Sequence, residues 1–172
     1  GVRYNTDGSL DTSFDGDGKI LTAAPSGFFA EARGIVQAAD GRLVIAASFD
    51  NADSAGIALV KYLADGALDA TFSTAGIATR TAGQGAHARA MVMLPSGKFL
   101  VGGTLSEAAG DGMLLALFQA DGAADPGLGT GGLWSSLDPA GTTTQIASLL
   151  LLPDGKVVTG GTTSTDGAAR YA

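Results

Sequence analysis

The feature that most constrains this chain is a short motif of aspartate, glycine and a second aspartate that recurs at nearly even intervals. It reads DGSLD, DGALD and DGAAD at residues 7–11, 65–69 and 121–125. Aromatic residues near the copies are 58, 56 and 53 residues apart: Tyr4, Tyr62, Phe118 and a fourth candidate, Tyr171. Self-similarity at such a period indicates a repeat architecture in which each unit is one supersecondary element.

Each unit contains four segments of strand length with turn residues at their borders. The first and second segments are separated by only a few residues ending in glycine, so each pair predicts a β-hairpin. The three hairpins join 32–39 to RLVIAAS, 88–94 to KFLVGGT and 146–152 to KVVTGGT. The third segment is IALVKY (57–62), and MLLALF (113–118), VRY at the start and ARY at 169–171 are assigned to the same position. The fourth segments are KILTA, IATRT and LWSSL.

Four short strands cannot bury both faces of their own sheet, so the units are expected to stack as propeller blades do. The apolar first segment suits an inner strand, and the more polar fourth segment suits an outer edge. The 27 glycines with only 16% charged residues favour tight turns over helices. We therefore predict an all-β fold, a β-propeller of four-stranded blades with about three blade-equivalents in one domain. The predicted repeat units are approximately 2–58, 59–116 and 117–172.

The stretch RYNTDGSLDTSF together with LPDGKVVTGGT resembles the delta-60 repeat, also called the DUF5122 β-propeller family of bacterial proteins. The resemblance spans the whole chain. It implies long, secreted or surface-attached proteins with many repeat copies and without a defining catalytic motif. The third copy departs from the pattern, because Ala124 replaces a leucine and Leu128 stands where the other copies have phenylalanine. A looser third loop is therefore expected.

The partner hypotheses follow from the number of blades. Three blades are fewer than the four to eight of a closed propeller. Because VRY and ARY are assigned to one segment, one blade is expected to be divided between the two ends of the chain. Either a second copy shares the divided blade and closes a six-bladed ring, or the rest of a longer propeller chain covers the open faces. The homodimer is preferred, since uncovered blade faces expose apolar surface.

The composition of the chain limits which other classes of partner are expected. The net charge of −7 and the pI near 4.4 argue against nucleic acid, because phosphate binding requires clustered Lys and Arg. The longest apolar run, residues 146–153, is too short to cross a bilayer. The chain has no cysteine, which excludes disulfides and thiolate zinc sites. A protein or a small polar ligand remains as the expected partner.

The acidic motifs have two interpretations. Aspartate before glycine forms turns, and the second aspartate is placed to cap a single helical turn. The alternative is a calcium site, which would draw on the carboxylates of the first loop: Asp7, Asp11, Asp15 and Asp17. The bidentate glutamate that closes an EF-hand is missing from these motifs, so turn chemistry is preferred and no cofactor other than calcium is considered.

A candidate ligand site lies at the start of the first segments. The only histidine, His87, aligns with Glu31 and Gln145, and Arg33 and Arg89 follow two residues later in the first two units. Propeller geometry places these residues at one mouth of the central channel. They predict a site for a small polar or anionic ligand, with the arginines as charge donors and His87 as the acid or base. The competing interpretation is that these strand ends are simply solvated.

Three functions follow from these alternatives. The preferred one is a structural or protein-interaction scaffold without catalysis of its own. The second is a propeller that binds or hydrolyses a small polar ligand at the channel mouth, although no G-x-S-x-G motif stands between a strand and a helix. The third is a surface adhesin stabilised by calcium.

Overall fold

The computed structural model of the chain describes residues 1–23, 29–50, 54–83, 85–107, 110–137, 142–165 and 168–171. These residues form strands and turns, with no helix among them, which confirms the all-β prediction. The strands are β1 Phe29–Gln37, β2 Leu43–Asp50, β3 Ala55–Tyr62, β4 Ile77–Thr81, β5 Gly85–Met93, β6 Phe99–Glu107, β7 Gly110–Phe118, β8 Leu133–Leu137, β9 Thr142–Leu151, β10 Val157–Thr165 and β11 Ala168–Tyr171. Within the described ranges no helix is present that could cross a bilayer.

The strands form three antiparallel sheets. Blade A contains β1 to β4 and blade B contains β5 to β8, each in sequence order. Blade C contains β9, β10 and β11. Each of the three predicted hairpins is present, because β1 pairs with β2, β5 with β6 and β9 with β10. Blades A and B confirm the prediction of four-stranded blades.

The main core lies between blades A and B. Alternate residues of blade A, such as Val44, Ile57 and Leu59, pack against Val101 and Leu114 of blade B, and all are fully buried. The first strand of each following blade packs on the blade before it: β5 contacts β1, β2 and β3, and β9 contacts β5, β6 and β7. The contacts of β1 with β5 and of β5 with β9 place the first strands at the inner side of the stack.

Residues 1–23 form the outer half of a further blade. Val2 pairs with Lys19, and the amino group of Gly1 donates to the carbonyl of Ile20 at 2.8 Å. Phe14 and Ile20 then pack with Tyr62 in a second core cluster. This half-blade therefore covers the outer part of one face of blade A.

The register of β11 corrects one assignment made from the sequence. Tyr171 pairs with Thr162. The equivalent pairs in the other blades are Ile57 with Ser48 and Met113 with Thr104. Tyr171 therefore takes the position of Ile57, and its predicted equivalence to Tyr62 was wrong. A three-residue match near the end of a strand does not fix the register, whereas the ladder of backbone pairs does.

Candidate functional site

Three acidic loops, at residues 7–18, 65–76 and 121–132, each begin with a hydrogen-bonded turn. In the first loop Asp7 Oδ1 accepts from the backbone N–H of Ser9 at 2.9 Å and from its hydroxyl at 2.7 Å. The backbone bond recurs as Ala67 to Asp65 at 3.0 Å and Ala123 to Asp121 at 2.9 Å. The glycines that follow have φ of 87°, 97° and 89°, which residues with a Cβ rarely adopt. Turn chemistry thus explains the first half of the motif.

The second aspartate of each loop pairs with a cation. Asp69 and Asp125 are buried, with side chains only 5% and 8% exposed. Arg42 Nε lies 3.3 Å from Asp69 Oδ2, and Lys98 Nζ lies 2.6 Å from Asp125 Oδ2. Both cations come from the hairpin turn of the same blade. Because a buried carboxylate without a partner is costly, these pairs fix each loop to its blade.

The first loop differs because residues 1–23 contain no such hairpin. Here Arg3 supplies the cation, with Nε 2.8 Å from Asp11 Oδ2. The same guanidinium donates to the carbonyl of Ala64 at 2.8 Å and lies 4.3 Å from the centre of the Phe14 ring. Arg3 therefore links the half-blade to blade A.

Hydrogen bonds hold the pKa values of these carboxylates below the ordinary range. The hydroxyl of Thr71 lowers the pKa of Asp69, and that of Ser13 lowers the pKa of Asp11. The Lys98 ammonium lowers the pKa of Asp125. Groups that are ionised and already hydrogen-bonded at neutral pH act as structural acceptors, whereas a general acid or base needs a pKa near the working pH.

The aromatic residue of one loop lies under the glycine of the next loop. Phe14 and Phe72 are each 2% exposed. A Cβ added to Gly66 would lie 3.0 Å from the Phe14 ring, and one added to Gly122 would lie 2.8 Å from the Phe72 ring. Glycine is therefore required at this position for the close approach as well as for its φ.

Backbone bonds connect the same loops. Asp15 N–H donates to the Asp65 carbonyl at 2.7 Å, and Ser73 N–H donates to the Asp121 carbonyl at 3.0 Å. We call this series of contacts the loop ladder. It runs in one direction along the stack, since the residue after each aromatic always donates to the first aspartate of the following loop.

The third loop has Leu128 where the other two loops have phenylalanine, and its looser packing stays a prediction. Leu128 is half-buried where Phe14 and Phe72 are fully buried. Its N–H lies 3.4 Å from the Asp125 carbonyl, compared with 3.0 Å for the bond from Phe14 to Asp11.

Three of the four aspartates of the calcium hypothesis accept hydrogen bonds within the first loop. Asp7, Asp11 and Asp17 each accept a backbone N–H two residues further on. Asp15 has a positive φ of 49°, and its N–H takes part in the loop ladder. No group of three Asp, Glu or His side chains in the described part of the chain is arranged to hold a metal ion. Calcium binding stays a prediction, and the geometry seen here is that of hydrogen-bonded turns.

A β-bulge interrupts the first strand of every blade at the same position. The residue that each bulge leaves out of the pairing is Arg33, Arg89 or Ala147. Sequence reasoning missed these bulges. In blades B and C the sequence feature that indicates the bulge is the Gly-Gly pair of the second strand. A Cβ on Gly103 or Gly161 would lie 1.8 Å from a carbonyl of the first strand, so only glycine fits there. The bulges redirect the side chains at the inner strand ends.

A cavity of about 300 Å³ lies at these strand ends, between blades A and B. Its polar walls are Glu31, Ser48, Asp50 and His87. Ser48 lies opposite Glu31 in the first hairpin, and its hydroxyl accepts the N–H of Ala88 across the blades at 2.8 Å. The structure therefore brings two of the five predicted ligand residues together and adds Ser48 and Asp50. Ser48 pairs with Glu31 in the β1–β2 hairpin, and Asp50 lies two residues further along β2 on the same face. The hairpin register therefore identifies both residues once Glu31 is taken as a site residue.

The other three predicted residues lie outside this cavity. Arg33 Nη2 donates to Glu31 Oε2 at 2.6 Å. Arg89 is half-buried, and its Nε finds no hydrogen-bond partner among the described residues. Gln145 lies on β9 opposite Thr162. With two carboxylates and an imidazole on the walls and Arg33 paired to Glu31, the cavity suits a cationic or neutral guest better than the anionic ligand considered from sequence.

Comparison with known proteins agrees with this architecture. A family model described as "Domain of unknown function (DUF5122) beta-propeller" matches residues 2–14 and 38–72. The matched stretches contain the first acidic loop as far as Phe14, and the hairpin turn, β2, β3 and second loop of blade A as far as Phe72. No curated protein matches the chain. The family match and the stacked sheets support the resemblance seen in the sequence, and the match covers residues 2–14 and 38–72 and not the whole chain.

Proposed function

We propose that this chain is a structural and protein-interaction scaffold, a stack of propeller blades without catalysis of its own. The observation that supports this most directly is that the charged residues of the repeat form ion pairs with one another. The second aspartate of every loop is paired with a cation, from Arg3, Arg42 or Lys98, that fixes the loop to the stack. The chemistry that recurs with the repeat therefore has a structural role: it holds each loop on its own blade and, through Arg3, links the half-blade to blade A.

The loop ladder supports the same proposal. Each loop contacts the next through a buried ring, a glycine and a backbone hydrogen bond. Such contacts make a stiff array, because each blade is held by its neighbours. A stiff array with solvent-exposed loops is suited to presenting surfaces to other proteins.

A ligand screen tests this proposal. Purified protein is heated in the presence of divalent cations, sugars, nucleotides, amines and carboxylic acids, and the Tm is recorded for the wild type and for Arg33→Ala, His87→Ala and Arg89→Ala. We expect that none of these classes of compound raises the Tm of the wild type. A ligand that stabilises the wild type in proportion to its concentration, and fails to stabilise His87→Ala, would overturn the scaffold proposal.

The cavity between blades A and B supports a second candidate function, the binding of a small cationic or neutral polar ligand. Glu31, Asp50 and His87 supply charge and hydrogen bonds on its walls. A series of primary and quaternary amines is the suitable probe, measured by calorimetry with Glu31→Gln. Glu107→Gln, which removes an exposed carboxylate elsewhere on the stack, is the matched control. Binding that is weakened by the first substitution alone supports this function.

A further inference from the structure

The cavity between blades A and B has a polar wall that comes from one hairpin of blade A. This wall consists of Glu31, Ser48 and Asp50. Ser48 pairs with Glu31, and its hydroxyl accepts the N–H of Ala88 in blade B, so this face of the hairpin is turned toward blade B. Asp50 lies two residues further along β2 and therefore on the same face. The three polar side chains thus share the space between the two blades.

Blade B has no aspartate at the equivalent position of its own hairpin. Counted from the bulge of the first strand, Thr104 takes the position of Ser48, and Ser106 takes the position of Asp50. Thr104 is only 3% exposed, so the stack is closely packed around it. Because blades B and C pack together without a carboxylate at this position, Asp50 is not required for the packing of blades.

The open space of the cavity depends on one small residue of blade B. Ala86 lines the cavity, and its equivalent in blade C is Thr144, since each precedes the bulged residue of its strand by the same interval. Thr144 is 7% exposed, and its hydroxyl donates to that of Thr163 at 3.1 Å. The smaller alanine leaves the equivalent place open. A carboxylate and an open space, neither of them shared by the next interface, therefore occur together, which favours a ligand site.

The buried side of the cavity offers a hydrogen-bond donor. Ser48 is 8% exposed, and its Oγ accepts the N–H of Ala88 at 2.8 Å. Its own hydroxyl proton has no acceptor among the residues that the structure describes. Since a buried donor without an acceptor is costly, a ligand that brings an oxygen atom to Ser48 is favoured. An ammonium group carries donors only and cannot accept this proton.

The two carboxylates of the cavity differ in how far they are already paired. Arg33 Nη2 donates to Glu31 Oε2 at 2.6 Å, so the charge of Glu31 is compensated. Asp50 is half-buried and forms no hydrogen bond or ion pair with the described residues. Both oxygens of Asp50 are therefore available to accept hydrogen bonds from a ligand. The demand for a positive charge is small, because only one of the two carboxylates lacks a cation.

We propose that the cavity binds a neutral polyhydroxyl compound of monosaccharide size through two adjacent hydroxyl groups. A hydroxyl both donates and accepts, so the two groups donate to the two oxygens of Asp50 while an oxygen of the same ligand accepts from Ser48. The methyl group of Ala86 offers an apolar contact to the C–H groups of the ligand. The volume of about 300 Å³ is at the small end of the range for ligand pockets. This inference rests on the second candidate function and selects a neutral polyol over a cation.

Titration of the 172-residue chain with the methyl glycosides of glucose, galactose and mannose, followed by amide NMR spectra, tests the proposal. At least one glycoside should bind saturably. When the Ser48 hydroxyl donates to the ligand, its oxygen becomes a stronger acceptor, so the amide proton of Ala88 should move downfield. A deoxy form of the same glycoside that lacks one of the adjacent hydroxyls should bind at least tenfold more weakly. Equal binding of the deoxy forms would overturn the proposal.

Two substitutions test the site itself. Ala86→Thr introduces the residue that blade C has at the equivalent position, so it should fill the cavity, keep the fold and weaken glycoside binding at least tenfold. Asp50→Asn removes the charge with little change of shape and should weaken binding to a similar extent. The control is Asp111→Asn, a half-buried aspartate of β7 that does not line the cavity. Circular dichroism verifies the fold of each variant, and unchanged binding by folded Ala86→Thr would contradict the proposed location.

A parallel titration with n-butylamine separates this inference from the function on which it rests. Binding of a glycoside that depends on Asp50 supports the inference, and sugars would then be the class of compound that raises the Tm in the thermal screen. Binding of the amine without any glycoside would overturn the inference and leave the second candidate function standing. If neither compound binds, both are wrong, and the scaffold proposal alone remains.

Discussion

Phe72 is the side chain whose removal should reveal most clearly how the blades are joined. It is 2% exposed, lies in the core between blades A and B and meets Phe99 edge to face, with ring centres 6.4 Å apart and planes at 85°. Lys61 Nζ lies 5.3 Å from its ring centre, and Gly122 of the next loop covers it. Removing a buried phenylalanine costs roughly 3 to 5 kcal/mol, and we expect Phe72→Ala to cost about 4 kcal/mol. For a chain of this length that corresponds to a Tm lower by about 8 to 16 °C.

The equivalent residue of the third loop supplies the matched control. Leu128 is half-buried and lacks a ring, so Leu128→Ala should cost only about 1 to 2 kcal/mol. Urea denaturation is followed by far-UV circular dichroism and by fluorescence of the only tryptophan, Trp134 on β8. The midpoints should shift without a change of slope. If Phe72→Ala lowers the free energy of unfolding no more than Leu128→Ala does, the ring does not join the blades and the reasoning is wrong.

Three further predictions concern the acidic loops. Because hydrogen bonding from Thr71 lowers the pKa of Asp69 below its ordinary 3.8, its stabilising contribution is full above that value and is lost as the pH falls through the folded-state pKa. The free energy of unfolding of Asp69→Asn should therefore fall less between neutral pH and pH 2 than that of the wild type. Acid titrations followed by circular dichroism measure this difference. Removal of calcium by a chelator should leave the Tm unchanged, and a fall of several degrees that added calcium reverses would instead support the site at Asp7, Asp11, Asp15 and Asp17. Gly66→Ala should lower the Tm more than Gly16→Ala, since both positions have positive φ but only the Gly66 Cβ meets another loop, at 2.9 Å from Asp15 N.

Local patterns in the sequence predicted the fold because each rests on nearest-neighbour chemistry. The turns at Asp40-Gly41 and Asp154-Gly155 define hairpins, and both glycines have positive φ in the structure. These features depend on a few adjacent residues, so a single amino-acid sequence is enough to predict them.

Features that depend on backbone pairing between distant residues were harder to predict. The ARY match at 169–171 gave the wrong register, since three residues carry too little information to choose between positions in a strand. The bulges at Arg33 and Arg89 were missed because a bulge changes pairing without changing composition. Asp50 could not be placed beside His87 from periodicity, because that proximity arises only when blades A and B stack.

The loop ladder has a consequence for how such a chain changes length. Both rungs join one loop to the next through equivalent residues: Phe14 meets Gly66, and Phe72 meets Gly122. A genetic crossover between two loops therefore yields a longer or shorter polypeptide whose new junction reproduces a contact that already works. Duplication or loss of a whole unit therefore costs little stability, and the number of blades can change during evolution.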